Sequence, residues 1–395
     1  MKYAIIIPDG AADLPIDDLG GKTPLQCADI PNIDSVVERG RIGTTLNLPP
    51  NCPAGSDIAI MSVLGYNPGK FYTGRAPLEA AGRGISVSEN EWVFRCNIVT
   101  IIDEIMEDHS AGHISTPEAT AIIEAVSELL KDTEIKMYSG VAYRHLAVIP
   151  GKMAVKTTPP HDIIGKHISG YLPSGKGSEI LLAMMKKAHD LLKNSDINSV
   201  KKDLNENPAT DIWLWGQGQM PDLPAFEKQF HLSGAAITAV DLVRGISKLI
   251  GWHTIDVEGA TGYVDTNYRG KGENAILALD NYDIVMVHIE GTDEAGHNAD
   301  YAGKIHALEQ IDKHIAGPVI QRLEREGEDW RILILPDHPT PCSVRSHTRD
   351  PVPFCIAGKR IKSTPETCFD EETAAGSDLD ISDGSSLMEY FLTVR

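Results

Sequence analysis

The chain has 395 residues, 42% of them apolar, and carries 56 Asp and Glu against 36 Lys and Arg, a formal charge of −20. That is enough apolar material for two or three domains, or one large domain with an insertion, and it excludes global disorder. The acidic balance and the lack of any long Lys/Arg run exclude a basic nucleic-acid surface. The pairs Lys186-Lys187 and Lys201-Lys202 read as solvated helix faces. Six widely spread cysteines without a Cys-x-x-Cys pair read as reduced thiols. The apolar stretch near Met1 is too short for a secretory segment or a membrane span, so the expectation is a cytoplasmic protein without a membrane partner.

Tyr3-Ala-Ile-Ile-Ile7 is apolar on both faces and rich in β-branched residues, as a central parallel strand requires. Pro31 to Arg39 reads as a helix with Ile33, Val36 and Val37 inward, broken by Gly40 and Gly43. Gly55-Ser56 opens a second helical pattern that Gly65 closes, which places Ser56 where orphan amides favour an anion. Trp92 to Ile102 and Val141 to Ile149 read as strands, and Pro117 to Leu130 and Gly177 to Leu192 as helices. Together they suffice for a small α/β domain. The polar stretch 194–207 and Met220-Pro-Asp-Leu-Pro224 mark its exit. Then come a strand at Ala235–Val240, a helix at Asp241–Ile250, strands at Ile284–Ile289 and Ile332–Leu335, and a helix within Tyr301–Leu323. The acidic patch Asp370 to Glu372 reads as surface.

The expected architecture is α/β. Residues 1–85 and 222–395 form one doubly wound core, and residues 86–221 form a smaller inserted α/β domain. An enzyme built this way has a cleft between the two.

Several short acidic and histidine motifs sit at or near the ends of these strands, where α/β enzymes place their chemistry. They are Pro8-Asp9-Gly10, Asp293-Glu-Ala-Gly-His297, Pro336-Asp337-His338-Pro339 and Ser346-His347. Asp293 and His297 share a helical face if that stretch is helical. Asp337 and His338 are adjacent, so their side chains diverge and serve two ions, or one ion and a neighbouring group. Taken singly, Asp9 is a strand-end turn, His347 a solvent histidine and Ser56 a helix N-cap. Taken together they are candidate ligands for two ions. Carboxylates with imidazoles suit Mn²⁺, Zn²⁺ or Co²⁺, and Mg²⁺ where waters complete the shell. A hydroxyl held on such an ion loses its proton more readily, which makes Ser56 a usable nucleophile and the first acceptor of a phosphoryl group.

The run Pro53-Ala-Gly-Ser-Asp-Ile-Ala-Ile-Met-Ser-Val-Leu-Gly-Tyr66, with Phe71-Tyr-Thr-Gly-Arg-Ala-Pro-Leu-Glu-Ala-Ala81, resembles the archaeal-type, cofactor-independent phosphoglycerate mutases of the alkaline phosphatase superfamily. Val93-Phe-Arg-Cys-Asn97, Trp213-Leu-Trp-Gly216 and the metal motifs extend the likeness over nearly the whole chain. The resemblance implies an alkaline-phosphatase-like core, with Asp293, His297 and His347 on one ion and Asp9, Ser56, Asp337 and His338 on the other. It also implies a phosphoserine intermediate at Ser56 and a substrate-binding role for the inserted domain.

A small substrate carrying a carboxylate and a phosphate needs cations. Arg144 in Ala-Tyr-Arg-His-Leu is the first candidate and Arg75 the second, since a guanidinium holds a carboxylate with two hydrogen bonds. His113 resembles a histidine-bearing loop of the inserted domain, and it or His109 would assist proton transfer. The opening Ile6-Ile-Pro-Asp-Gly-Ala-Ala-Asp-Leu-Pro-Ile-Asp-Asp-Leu-Gly-Gly-Lys-Thr-Pro24 resembles a bacterial sub-branch whose members have also been proposed as homoserine kinases. A homoserine kinase or phosphatase is therefore the alternative enzyme, and a metal-binding protein without catalysis the alternative of another class. The sequence leaves the oligomeric state open.

Overall fold

The computed structural model describes residues 1–193, 198, 201, 206–327 and 329–394. The polar stretch 194–207 lies largely outside the described residues. The chain divides into two compact units, residues 1–72 with 222–395, and residues 73–221.

The first unit is built on an eight-stranded sheet. Its order is His253–Ile255, Gly234–Ile237, Ile284–Ile289, Lys2–Pro8, Trp330–Ile334, Val352–Gly358, Gly40–Thr45 and Asp380–Ile381. All run parallel except Val352–Gly358, which is antiparallel to both neighbours. Lys2–Pro8 occupies the middle, with Tyr3 opposite Ile284 and Lys2 opposite Trp330. Its alternate side chains are buried on both faces. Ala4 and Ile6 join a core with Val36, Val37, Leu279, Leu308 and Ile332, while Ile5 and Ile7 are fully buried on the other side. On that second side Tyr3 meets Phe391 edge to face, with ring centroids 5.7 Å apart. Helices on both faces are what turn an apolar run into a central parallel strand.

Four strands of this sheet escape the sequence reading: His253–Ile255, Asp380–Ile381, Gly40–Thr45 and Val352–Gly358. Gly40–Thr45 and Val352–Gly358 pair with one another, Phe354 opposite Gly43. Pro353 lies within the second strand, where a proline argues against a ladder position. The helix expected within Tyr301–Leu323 is one run of Tyr301–Ile311, a π-turn over Asp312–Ala316, and Gly317–Glu324. Pro318 has no N–H to give the ladder, so the wider turn just before it relieves the mismatch.

The second unit holds an antiparallel sheet in the order Ile105–Asp108, Glu91–Ile102, Arg144–Pro150, Lys136–Tyr138, with Asp211–Gly218 also pairing Glu91–Ile102. Helices Thr116–Leu129 and Ser178–Leu192 cover it, Ile122, Val126, Leu181 and Met184 packing with Phe94, Cys96 and Ile98. The strand expected from Val141 begins only at Arg144, because Val141 is exposed and Ala142 adopts a positive φ. Helix Arg75–Gly82, assigned to the core from sequence, belongs to this unit and packs on Glu91–Ile102 and Asp211–Gly218.

Two surface assignments are corrected. Lys201 is buried and donates to Ala111 O at 3.2 Å; Lys202 lies outside the described residues. Glu371, in the supposed surface patch, accepts from Asp13 N at 2.9 Å and Thr23 Oγ1 at 2.7 Å. All six cysteines are free. Among the described residues no helix is long and apolar enough to cross a membrane.

Candidate metal centre

The parallel strands of the first unit deliver their loops to one end of the sheet. Asp9 directly follows Lys2–Pro8, and its N–H donates to Ile289 O at 2.9 Å. Strand Ile284–Ile289 runs into the short helix Gly291–His297, which carries Asp293 and His297 one turn apart. Trp330–Ile334 leads to Asp337 and His338. Gly10 is the joint between these loops. It has a φ of +63°, donates to Asp337 Oδ1 at 3.2 Å, and a Cβ there would lie 2.5 Å from Asp293 Oδ1. Only glycine fits so close an approach.

Ser56 is the first residue of helix Ser56–Val63, but Gly55 holds the N-cap position and no side chain caps the helix. The Ser56 hydroxyl instead lies 3.1 Å from His338 Nε2. Arg349 pins the preceding loop by donating to Pro49 O at 2.7 Å and to Cys52 O. Asp337 and His338 do not diverge. His338 Nε2 stands 3.6 Å from Asp337 Oδ2 and 3.5 Å from Asp9 Oδ1, because the His338 N–H donates to Asp337 Oδ1 and folds the pair together.

A second cluster adjoins the first. His297 Nε2 is 3.3 Å from Asp293 Oδ2, and His347 Nε2 is 3.6 Å from Asp293 Oδ1. The two imidazoles face each other with their Nε2 atoms 3.1 Å apart, while their Nδ1 atoms reach Arg345 O and Ala54 O. With each Nδ1 directed at a carbonyl, the two Nε2 atoms face each other beside the Asp293 carboxylate, an arrangement that suits a shared cation. Thr340 Oγ1 joins the clusters, donating to Asp293 Oδ1 and lying 3.3 Å from His338 Nδ1.

The electrostatics fit the same occupant. Burial, then the charges of Asp337 and Asp293, push the Asp9 carboxyl well above its usual range. Asp9 Oδ1 and Asp337 Oδ2 are buried and accept no hydrogen bond. Burial alone would raise Asp293, but the hydrogen bond with His297 and the neighbouring histidines hold it below the usual range. His297 is pushed up to about 9, first by its bond with Asp293. Carboxylates crowded with imidazoles, some lacking any donor, are the chemistry of a divalent-cation site. His288 is the residue the sequence reading passed over. Its side chain is fully buried, and Nε2 lies 3.1 Å from Asp9 Oδ2. A histidine inside the apolar run Ile284–Ile289 gave no signal apart from strand content.

A family model for 2,3-bisphosphoglycerate-independent phosphoglycerate mutase matches residues 38–198. A protein of that name from Methanothrix thermoacetophila is 45% identical, over 99% of this chain and all of the relative. The chain belongs to the archaeal-type, cofactor-independent phosphoglycerate mutase family. The structure of the PH0037 protein from Pyrococcus horikoshii superposes with a TM-score of 0.85 at 30% identity, covering 99% of this chain and 96% of that one. The cofactor-independent phosphoglycerate mutase from Thermoplasma acidophilum shares the fold, with a TM-score of 0.67 at 24% identity and 99% coverage of both chains.

The second unit of this family member has its own cluster of cations and rings. His109 packs edge to face on Tyr143, centroids 5.4 Å apart, and lies 6.2 Å from His161, which in turn meets Trp215. Arg95 stacks over Trp215 and pairs with Glu79 at 3.2 Å, and Arg75 shares that carboxylate at 3.3 Å. Arg144 is exposed over the Tyr143 ring. His113 is exposed with a φ of +52° on a loop that Asp108 organises, accepting from Ser110 N and Gly112 N at 2.7 Å. Arg95 belongs to the Val-Phe-Arg-Cys-Asn motif and was within reach of the sequence. His161 carried no such signal.

Proposed function

We propose that the chain interconverts 3-phosphoglycerate and 2-phosphoglycerate without 2,3-bisphosphoglycerate, with Ser56 Oγ carrying the phosphoryl group between the two hydroxyls. The observation that carries this reading is the Ser56 hydroxyl, uncommitted to helix capping and 3.1 Å from His338 Nε2, beside carboxylate oxygens without donors. The substrate follows from the name of the 45% identical relative.

In this reading Asp293, His297 and His347 hold one divalent cation, and Asp9, Ser56, Asp337 and His338 the other. Two such ions, Mn²⁺ foremost with Mg²⁺, Zn²⁺ or Co²⁺ as alternatives, supply charge neutralisation and a lowered pKa for the serine hydroxyl. Ser56 Oγ attacks phosphorus, the bond from phosphorus to the C3 oxygen breaks, and that oxygen takes up a proton. Glycerate then turns, its C2 hydroxyl gives up a proton and attacks the phosphoserine, and Oγ leaves. Arg144 and Arg75 hold the substrate's anionic groups, and His113 or His109 ferries the hydroxyl protons. Water must be kept from the phosphoserine while glycerate turns, since hydrolysis there makes the enzyme a phosphatase.

A coupled assay run beside an ATP-dependent homoserine assay tests the reading. Mutase turnover should need divalent metal, proceed without added bisphosphoglycerate and vanish in Ser56→Ala. Phosphorylation of homoserine with no mutase turnover overturns it.

A further inference from the structure

We propose that His288 Nε2 is an additional protein ligand of the ion held by Asp9 and Asp337, an inference that rests on the two-ion reading above. His288 is the penultimate residue of the central strand Ile284–Ile289, opposite Ile7 in register, and its side chain is wholly inaccessible to solvent. Its main chain is anchored, since the buried Lys271 ammonium donates to His288 O at 3.1 Å. Its ring is anchored too, Nδ1 lying 3.4 Å from Thr238 Oγ1. The Thr238 oxygen already accepts from Val240 N–H at 3.1 Å, and a second lone pair is available for the imidazole Nδ1–H. That tautomer leaves the Nε2 lone pair free, the arrangement by which metal-bound histidines are oriented.

Nε2 comes within 3.1 Å of Asp9 Oδ2, yet it has no hydrogen-bond partner. The ring is not aligned to donate to that carboxylate, so holding Asp9 by a hydrogen bond does not explain the histidine. Three buried atoms here lack partners: His288 Nε2, Asp9 Oδ1 and Asp337 Oδ2. Asp9, His288 and Asp337 each offer a ligand atom, all within 4.8 Å of one another. A cation that satisfies the two carboxylates satisfies the imidazole as well. The ligand field then becomes richer in nitrogen, which favours Mn²⁺, Co²⁺ or Zn²⁺ over Mg²⁺ at this position.

Zn²⁺ titration of the full-length protein carrying isotope-labelled histidine, followed by long-range proton–nitrogen NMR, tests the assignment. The expected result is that the Nε2 resonances of His288, His297, His338 and His347 all move on adding metal, with His288 Nδ1 keeping its proton. His288→Gln removes one of those signals and weakens one of two calorimetric binding events at least roughly tenfold. A His288 Nε2 that carries the proton and stays put while the other three move overturns the inference and leaves the two-ion reading standing. Failure of the protein to bind Zn²⁺ at all overturns both. Should His288→Gln not fold, the wild-type count decides, four shifted rings against three.

Discussion

Replacing Lys304 with Met should destabilise the first unit severely and loosen the metal centre with it. Lys304 and Asp13 form an ion pair at 2.7 Å in which neither side chain reaches solvent. The ammonium also donates to Thr340 O at 2.9 Å, and the Asp13 carboxylate accepts from Cys342 N at 3.1 Å. Removing one partner of a buried pair leaves an uncompensated charge and costs about 3–5 kcal/mol. In a unit of this size that corresponds to a fall in melting temperature of roughly 6–20 °C. Hydrogen exchange read peptide by peptide should assign the loss to strands Lys2–Pro8 and Trp330–Ile334 and spare the second unit. Because Thr340 also binds Asp293, Mn²⁺ affinity should drop in the same variant. Replacing both partners, Asp13→Asn with Lys304→Met, should cost less than the sum of the single changes. A Lys304→Met protein that melts within a degree or two of wild type and binds Mn²⁺ equally well would refute this account of the loop.

Gly10→Ala forces a methyl to 2.5 Å from Asp293 Oδ1 and 2.6 Å from Thr340 Oγ1, and should reduce kcat/KM roughly 10²-fold, as ångström-scale displacements of catalytic groups do; unchanged turnover contradicts the packing argument. Chelation should lower the melting temperature and Mn²⁺ should restore it, about 2.7 kcal/mol being regained at a free concentration one hundred times Kd; calorimetric scans that do not depend on Mn²⁺ contradict the site. Burial opposes ionisation of Asp108, but bonds from Ser110, Asn207 and Gly112 outweigh it and hold the carboxyl down at about 2. A depressed folded value means that its contribution is complete above the ordinary carboxylate range and fades as pH falls toward about 2. Protection factors of the amides in residues 108–113, taken relative to the intrinsic exchange rate at each pH, should therefore fall over that window, and Asp108→Asn should remove the effect.

Much of the core could be read because parallel strands covered on both faces must be apolar throughout. Tyr3–Ile7, Ile284–Ile289 and Ile332–Leu335 announce themselves in this way, and each leads within a few residues to Asp9, Asp293 or Asp337. Val352–Gly358 stayed hidden because Pro353 mimics a strand breaker. Gly40–Thr45 stayed hidden because its two glycines, which let Ile356 O and Leu379 O approach closely, look like helix stops. His288 escaped for the opposite reason, a ligand candidate buried inside a strand rather than displayed after one. Glu371 and Lys201 show that composition does not separate a solvated charge from one whose partner lies far away in sequence. Asp293 and His297 could be placed together because a four-residue spacing puts both on one helical face, as in Gly291–His297, and Ser56 because the Gly55-Ser56 step marks a helix start.

Ser56 is the residue on which the proposed phosphoryl transfer turns. Protein quenched during turnover with 3-phosphoglycerate and digested for mass spectrometry should carry phosphate on the Ser56 peptide. The label should require divalent metal and be absent from Ser56→Ala. Full mutase turnover in Ser56→Ala, or phosphate trapped on another residue, would contradict it.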